Sequence, residues 1–286
     1  VLNAANGVTL VNIQTPNTAG VSRNTYSQFD VDRSGVILNN SKGNVQTQLG
    51  GWVQGNPWLA GGTARVILNE VTSGSPSQLK GYMEVAGRRA QVVVANPAGI
   101  ACDGCGFINA NRGTLTTGTP IFNNGDLDGY RVTGGTIEIN GAGLVVPTDP
   151  TLRADFTDLI SRALKVNAGI WAQQLLVTTG VNQVSVDQST ITPLGAAQAT
   201  GTAPAFAIDT AALGGMYAGK IVLVGTEAGV GVRNAGVLSS TAGPLTLTTE
   251  GELINTGSGP ESSVDLDKVA IAYKWRSEEH TSELQS

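Results

Sequence analysis

Paired cysteines and paired carboxylates are the residues of this chain whose types and spacing could do chemistry. Cys102 and Cys105 are the only cysteines, in a C-x-x-C spacing. A tetrahedral zinc site needs four ligands, and with no second C-x-x-C and a single histidine, His280, structural zinc is not expected. A thioredoxin-type redox pair wants a strand-to-helix setting, which Gly104 and Gly106 argue against. What remains is a local disulfide across a chain corner, if the protein works outside the cytoplasm, or two reduced, half-buried thiols. A loop this short recovers little unfolded-state entropy, so a bridge would pin local geometry more than add global stability. Asp30-Val31-Asp32-Arg33-Ser34-Gly35 opens like a calcium loop, but its twelfth position is Ser41 rather than a bidentate Glu. It reads as a solvated strand end and turn, with no metal. Asp126 with Asp128, and Asp155 with Asp158, are carboxylate pairs of the kind that cleave glycosides. Asp126-Leu127-Asp128-Gly129 reads as a loop tip, however, and Asp155 and Asp158 as the start of a helix, where negative charge is favoured. Nucleophilic triads lack a base anywhere but in the extreme C-terminal tail.

The elements that would position these groups are overwhelmingly strands. Only 14% of residues are charged, against roughly 25% in ordinary soluble proteins, and the 38 glycines are about twice the usual share. Aromatics make up 5%, so the core must be built from Val, Ile, Leu and Ala. The mildly acidic net charge of −5 argues against a nucleic-acid partner, which wants a basic face. No apolar run approaches the ~20 residues needed to span a bilayer. No cofactor is implied.

Strand-like runs recur at Val8–Ile13, Gly35–Leu38, Arg65–Leu68, Gln91–Ala95, Thr136–Ile139, Ile170–Val177, Lys220–Val224 and Leu245–Thr248, with Gly, Asn, Asp or Pro between them. From residue 219 each unit pairs two short strands with a Gly-rich corner. Such a unit cannot bury its apolar face alone, so units must stack. The expected fold is all-β: a right-handed parallel β-helix with rungs about 4.8 Å apart and a dry aliphatic interior. The first 60 or so residues are expected to form an N-terminal cap, because an open first rung invites edge-to-edge aggregation. Residues 149–166 (DPTLRADFTDLISRALKV) place Leu152, Phe156, Leu159, Ile160, Ala163 and Leu164 at helical spacing, with Pro150 at the start and Lys165 near the end. This predicts one short flanking helix.

Two Asn-Pro corners stand out: Asn56-Pro57-Trp58-Leu59, and Asn96-Pro97-Ala98-Gly99-Ile100 just ahead of the cysteines. Pro57 and Pro97 cannot donate to a strand ladder, and Gly99 can take the positive φ of a tight turn. With residues 24–51, Val66-Ile67-Leu68-Asn69-Glu70-Val71, Tyr82-Met83-Glu84-Val85-Ala86-Gly87, Lys165-Val166-Asn167-Ala168 and residues 213–232 in the same order, they resemble the N-terminal secretion domain of the filamentous haemagglutinin family. These are very large two-partner-secreted exoproteins: adhesins, haemolysins and contact-dependent growth-inhibition toxins. The resemblance runs to about Trp275. The corners match the family's NPNL and NPNGI motifs except that Trp58 and Ala98 replace the third Asn, which leaves Asn56, Pro57, Leu59, Asn96, Pro97, Gly99 and Ile100 as the secretion-motif residues carried over. On the residues alone, the same corners are ordinary turns whose Asn side chains satisfy loop backbone groups.

The resemblance implies a non-enzymatic secretion-signal domain. It would be recognised by an outer-membrane transporter through that partner's periplasmic domains, and would nucleate β-helix folding outside a Gram-negative cell. In that oxidising setting a Cys102–Cys105 bridge is expected. A host-cell or neighbouring bacterial surface would be met by the rest of the exoprotein. The competing readings are a directly adhesive module and a pectin-lyase-like polysaccharide-cleaving enzyme. By extent, residues 1–235 read as the secretion domain and 236–275 as continuing rungs. Residues 276–286 resemble a translated sequencing adapter; without Arg276, Glu278, Glu279 and Glu283 the net charge moves from −5 to −3. The chain opens at Val1 with neither initiator methionine nor secretory signal, and reads as a fragment truncated at both ends.

Overall fold

In the computed structural model the described residues are 1–256 and the backbone of the strand Val269–Tyr273; the adapter-like residues 276–286 lie outside them. The chain winds as a parallel β-helix of three faces. One face stacks Thr9–Asn12, Val36–Asn40, Tyr82–Gly87, Cys105–Ile108, Leu144–Val145, the first halves of Gly169–Thr179 and Gly215–Gly225, and Val237–Ser240. The second stacks Val21–Tyr26, Val66–Val71, Ala90–Ala95, Ala110–Thr116, Phe156–Ser161, the second halves of the two long strands, Leu245–Thr249 and Val269–Tyr273. The third stacks Ser77–Leu79, Ile100–Cys102, Thr136–Ile139, Ala163–Val166, Phe206–Thr210, Gly231–Asn234 and Leu253–Asn255. The right-handed sense is the one that parallel crossover connections adopt.

In-register parallel pairing puts like positions over one another, so the interior is made of columns. Asn69, Val94, Leu115, Leu159, Val177, Leu223 and Leu247 form one. Where a column holds Gly113, a Cβ would meet the Phe107 ring at 2.2 Å, so that ring from the preceding strand fills the place of the missing side chain. Over Val66–Val71, Ala90–Ala95 and Phe156–Ser161 the second face is buried on its outside as well. Two excursions supply Thr119–Asn123 with Asp126–Val132 and Asn182–Ser185 with Ile191–Pro193, which pair into a four-stranded antiparallel sheet. Leu127, Tyr130, Val132 and Val184 of that sheet pack on Val66, Leu68, Val93, Ala95 and Ile160. Ala90–Ala95 is therefore buried at every residue, and its sequence runs apolar instead of alternating.

At the N-terminal end Leu2–Asn3 pairs antiparallel with Thr9–Leu10, and a hairpin of Val45–Thr47 and Gly51–Val53 folds against the first face. Ala4, Val8, Leu10, Ile37, Val53 and Ala86 form its small core. Buried Glu84 anchors the hairpin loop, accepting from the Gln48 N–H at 2.6 Å and the Leu49 N–H at 2.8 Å.

The expected helix over 149–166 is not there: Pro150–Leu152 is one 3₁₀ turn, Phe156–Ser161 and Ala163–Val166 are strands, and the described residues contain no α-helix. Phe156–Ser161 buries Leu159 inward and Asp158 and Ile160 outward, and the chain then turns a corner at Arg162. A strand buried on both faces and a second that exposes only Lys165, joined by a corner, mimic a helical period. The start-of-helix reading of Asp155 and Asp158 falls with it. Asp126–Gly129 is likewise strand rather than tip; the tip is Asn124-Gly125, both at positive φ, as a two-residue hairpin turn requires.

Candidate recognition site at the two asparagine corners

Both corners are built in the same way. The Asn56 side chain accepts from the Trp58 N–H at 3.0 Å while its backbone carbonyl accepts from Leu59, forming the turn. Its amide group donates to the Ile13 carbonyl at 2.9 Å and the Asn39 carbonyl at 3.0 Å. The Asn96 side chain accepts from the Ala98 N–H at 3.0 Å, and its carbonyl accepts from Gly99. Its amide group donates to the Ser75 carbonyl and the Ser77 hydroxyl, both at 3.0 Å. Each asparagine thus shapes its own turn and clamps it to chain beside it. Asn56 is 3% exposed and Asn96 0%. Leu59 and Ile100 are buried in the central core, Pro57 and Pro97 face solvent, and Gly99 sits buried at φ +123° with the Thr136 carbonyl 3.1 Å from where a Cβ would stand.

The two corners share no hydrogen-bond partner and are not brought together. The Asn56 corner belongs to the cap, with Pro57 on the rim of a groove of about 660 Å³. The Asn96 corner joins the second face to the third, and Ala98, Gly99 and Ile100 border a shallower depression of about 350 Å³.

Cys102 and Cys105 are joined by a disulfide across the next corner, from third face to first, with Cα atoms 5.3 Å apart and both residues fully buried. The carboxylates weighed as calcium ligands already have protein partners: Asp30 accepts from the Gln78 N–H of the strand beside it, and hydrogen bonds from Ser34 in its own turn hold Asp32 below the usual carboxylate range. Among the described residues no cluster of three metal-ligating side chains occurs. Asp126 pairs with Arg65 and Asp155 lies near Arg89, so neither carboxylate pair converges on a shared site.

An unforeseen polar cluster lies under the antiparallel sheet. Asp158 is fully buried, held by Arg112 at 2.9 Å and the Thr114 hydroxyl at 2.9 Å. Burial pushes its carboxyl up to about 6 against the opposing pull of Arg112. The Tyr130 hydroxyl is buried there too, with no hydrogen-bond partner among the described residues. The only local signal was a carboxylate inside an apolar strand.

A family model, the TPS secretion domain, matches residues 1–255. The chain belongs to the TPS secretion domain family. A solved structure of the filamentous hemagglutinin secretion domain superposes with a TM-score of 0.80 at 35% identity, covering 88% of this chain and 84% of that one. Toxin CdiA of Yersinia pestis is 59% identical over 257 residues, 90% of this chain. The 16S rRNA endonuclease CdiA of Enterobacter cloacae is 47% identical over 273 residues, 94% of this chain. The chain spans about 8% of the length of each of these two relatives. The TPS domain is a secretion domain and not an enzyme domain. Exoproteins that carry it are secreted or displayed at the surface of Gram-negative bacteria, with an outer-membrane transporter as partner.

Proposed function

We propose that this TPS domain is the secretion signal of a large exoprotein, read by the periplasmic domains of its transporter while the chain is unfolded. The burial of Asn56 and Asn96 carries this reading. In the folded domain every polar atom of either side chain is engaged within the fold, so a receptor meets these groups only before folding. An extended chain offers its backbone for strand addition to such a receptor. Once outside, rungs that contact only their neighbours can form in order from the capped end, which draws the chain outward without a nucleotide energy source. The relatives named as toxins and nucleases favour a growth-inhibition toxin as the whole protein, with its effector outside this chain and target-surface contacts made by the rest of it.

The test is binding of the transporter's purified periplasmic domains to this chain, kept unfolded in urea and then diluted, against the same chain after refolding. Capture of the unfolded chain alone is expected, and Asn96→Ala should weaken it. Equal capture of the refolded domain would sink the reading.

A further inference from the structure

Residues 213–232 include a corner, Thr226-Glu227, that follows the long strand Gly215–Gly225. Three corners lie one above another here, because Ser161, Thr179 and Gly225 are in register on the second face and Arg162, Gly180 and Thr226 follow them. The second excursion leaves the stack at the middle corner. Glycine is required there: Gly180 has φ +109°, and a Cβ would stand 2.5 Å from the Thr226 hydroxyl.

Thr226 and Glu227 hold the two ends of that excursion. At its start, the Thr226 hydroxyl donates to the Asn182 side-chain oxygen at 2.6 Å, and the Thr226 N–H donates to the Thr179 carbonyl at 3.2 Å. At its end the hold runs through Arg162. The Glu227 carboxylate accepts two hydrogen bonds from the Arg162 guanidinium, at 2.7 and 3.0 Å. The third nitrogen of that group shares its hydrogens among the Thr200, Gly201 and Thr202 carbonyls at 3.0 to 3.2 Å. Thr200 in turn donates its N–H to the Thr133 carbonyl at 2.7 Å, which ties in the return of the first excursion. The Arg162 and Glu227 side chains are only 5% and 9% exposed, so the pair is desolvated. From Thr192 to Ala205, by contrast, no residue is buried and none belongs to an apolar cluster of the described residues. The hold on this return segment is polar. Without Glu227, Arg162 must either stay as an unpaired buried cation, which is strongly unfavourable, or swing to water and release residues 200–202. A segment with no apolar anchor makes release the easier course.

We propose that the Thr226-Glu227 corner is a lock, which fastens the second excursion at both ends and so closes the antiparallel sheet over the second face. Until this corner is in place the sheet is open, and the outer sides of Val93, Ala95 and Ile160 are bare. Under the order of folding proposed above, the sheet closes only after residue 227 has left the transporter. That timing rests on the secretion reading, whereas the lock rests on the geometry and is tested with no transporter present.

The test is amide hydrogen exchange of the refolded 286-residue chain, read by mass spectrometry on peptides from the sheet and from the first face. In Glu227→Ala, residues 119–132 and 182–205 should exchange at least about tenfold faster, with Val36–Asn40 and Tyr82–Gly87 unchanged. The double variant Arg162→Met with Glu227→Met removes both charges, and with them the penalty of an unpaired one, but gives up the bonds to residues 200–202. It should fold and still show the fast exchange in the sheet, which separates loss of the lock from loss of the fold. Thr226→Val frees only the start of the excursion, and its faster exchange should be confined to residues 182–185. Unchanged exchange in the sheet of the double variant would overturn the lock. So would an acceleration there that spreads equally to the first face, since the pair would then serve the stability of the whole stack.

Discussion

The asparagine corners and the cluster beneath the antiparallel sheet both bury polar groups, but only the corners bury them complete. At Asn56 and Asn96 each donor and acceptor of the side chain finds a partner within 3.0 Å. Under the sheet, Asp158 is desolvated with one cation and the Thr114 hydroxyl beside it, and the Tyr130 hydroxyl has no partner among the described residues. A completed buried network fixes one geometry, whereas an incomplete one leaves free energy that responds to protonation and substitution. The corners are thus structural joints, and the region under the sheet is where solution conditions can act on the fold.

Four substitutions or titrations would break or sharpen this contrast. The largest effect is expected from Asn56→Ala, which orphans two fully buried carbonyls and the Trp58 N–H and should destabilise by about 4 kcal/mol in denaturant unfolding. A loss under about 1 kcal/mol would mean that water completes the corner, and the contrast would fail.

Second comes the pH dependence carried by Asp158. Its carboxyl is held at about 6 in the folded protein, against ~3.9 unfolded. A raised folded value means that the native state binds the proton more tightly. Stability should therefore fall as pH rises from about 4 to about 6, by roughly 3 kcal/mol at most, and then level off. Asp158→Asn should flatten that slope, and an unchanged slope would assign it to other groups.

Third, Asn96→Ala should cost about 2 kcal/mol, less than its counterpart, because the Ser75 carbonyl is only part-buried and the Ser77 hydroxyl can rotate to a new partner. A cost equal to that of Asn56→Ala would show that rung corners matter to the fold as much as the cap. Smallest of all, Tyr130→Phe should change the unfolding midpoint by no more than about 0.5 kcal/mol, in the stabilising direction, since it deletes an unpaired buried hydroxyl. A clear destabilisation would reveal a partner for that hydroxyl and make the two regions alike.

How much of this was legible follows the same divide. Val92, Val94 and their neighbours announce a strand by β-branching, and Asn96-Pro97 announces a turn by local chemistry. Both signals act over a few residues. The antiparallel sheet comes from two excursions about 50 residues apart, and nothing local couples Tyr130 to Val184. Once that sheet covers Phe156–Ser161, the alternation that marks a half-exposed strand disappears, and the leftover spacing reads as a helix. Arg112 and Asp158 meet across 46 residues, so their pairing exists only in the stack. Asn124-Gly125 was the clue within reach: that dipeptide marks a hairpin tip, and reading it would have moved Asp126 into a strand. At the motifs the turn chemistry was readable, but not the depth of burial, because the covering residues Ile13, Asn39 and Ser75 lie 17 to 43 positions away for Asn56 and 21 for Asn96.

The bridge between Cys102 and Cys105 joins residues three apart in sequence. Drawn out as a single thread, the oxidised chain carries a kink there and nothing more. A crosslink between distant residues would double the thread back into a broad loop. Oxidation of this pair can therefore come before or after passage through a narrow opening without altering the girth of what must pass.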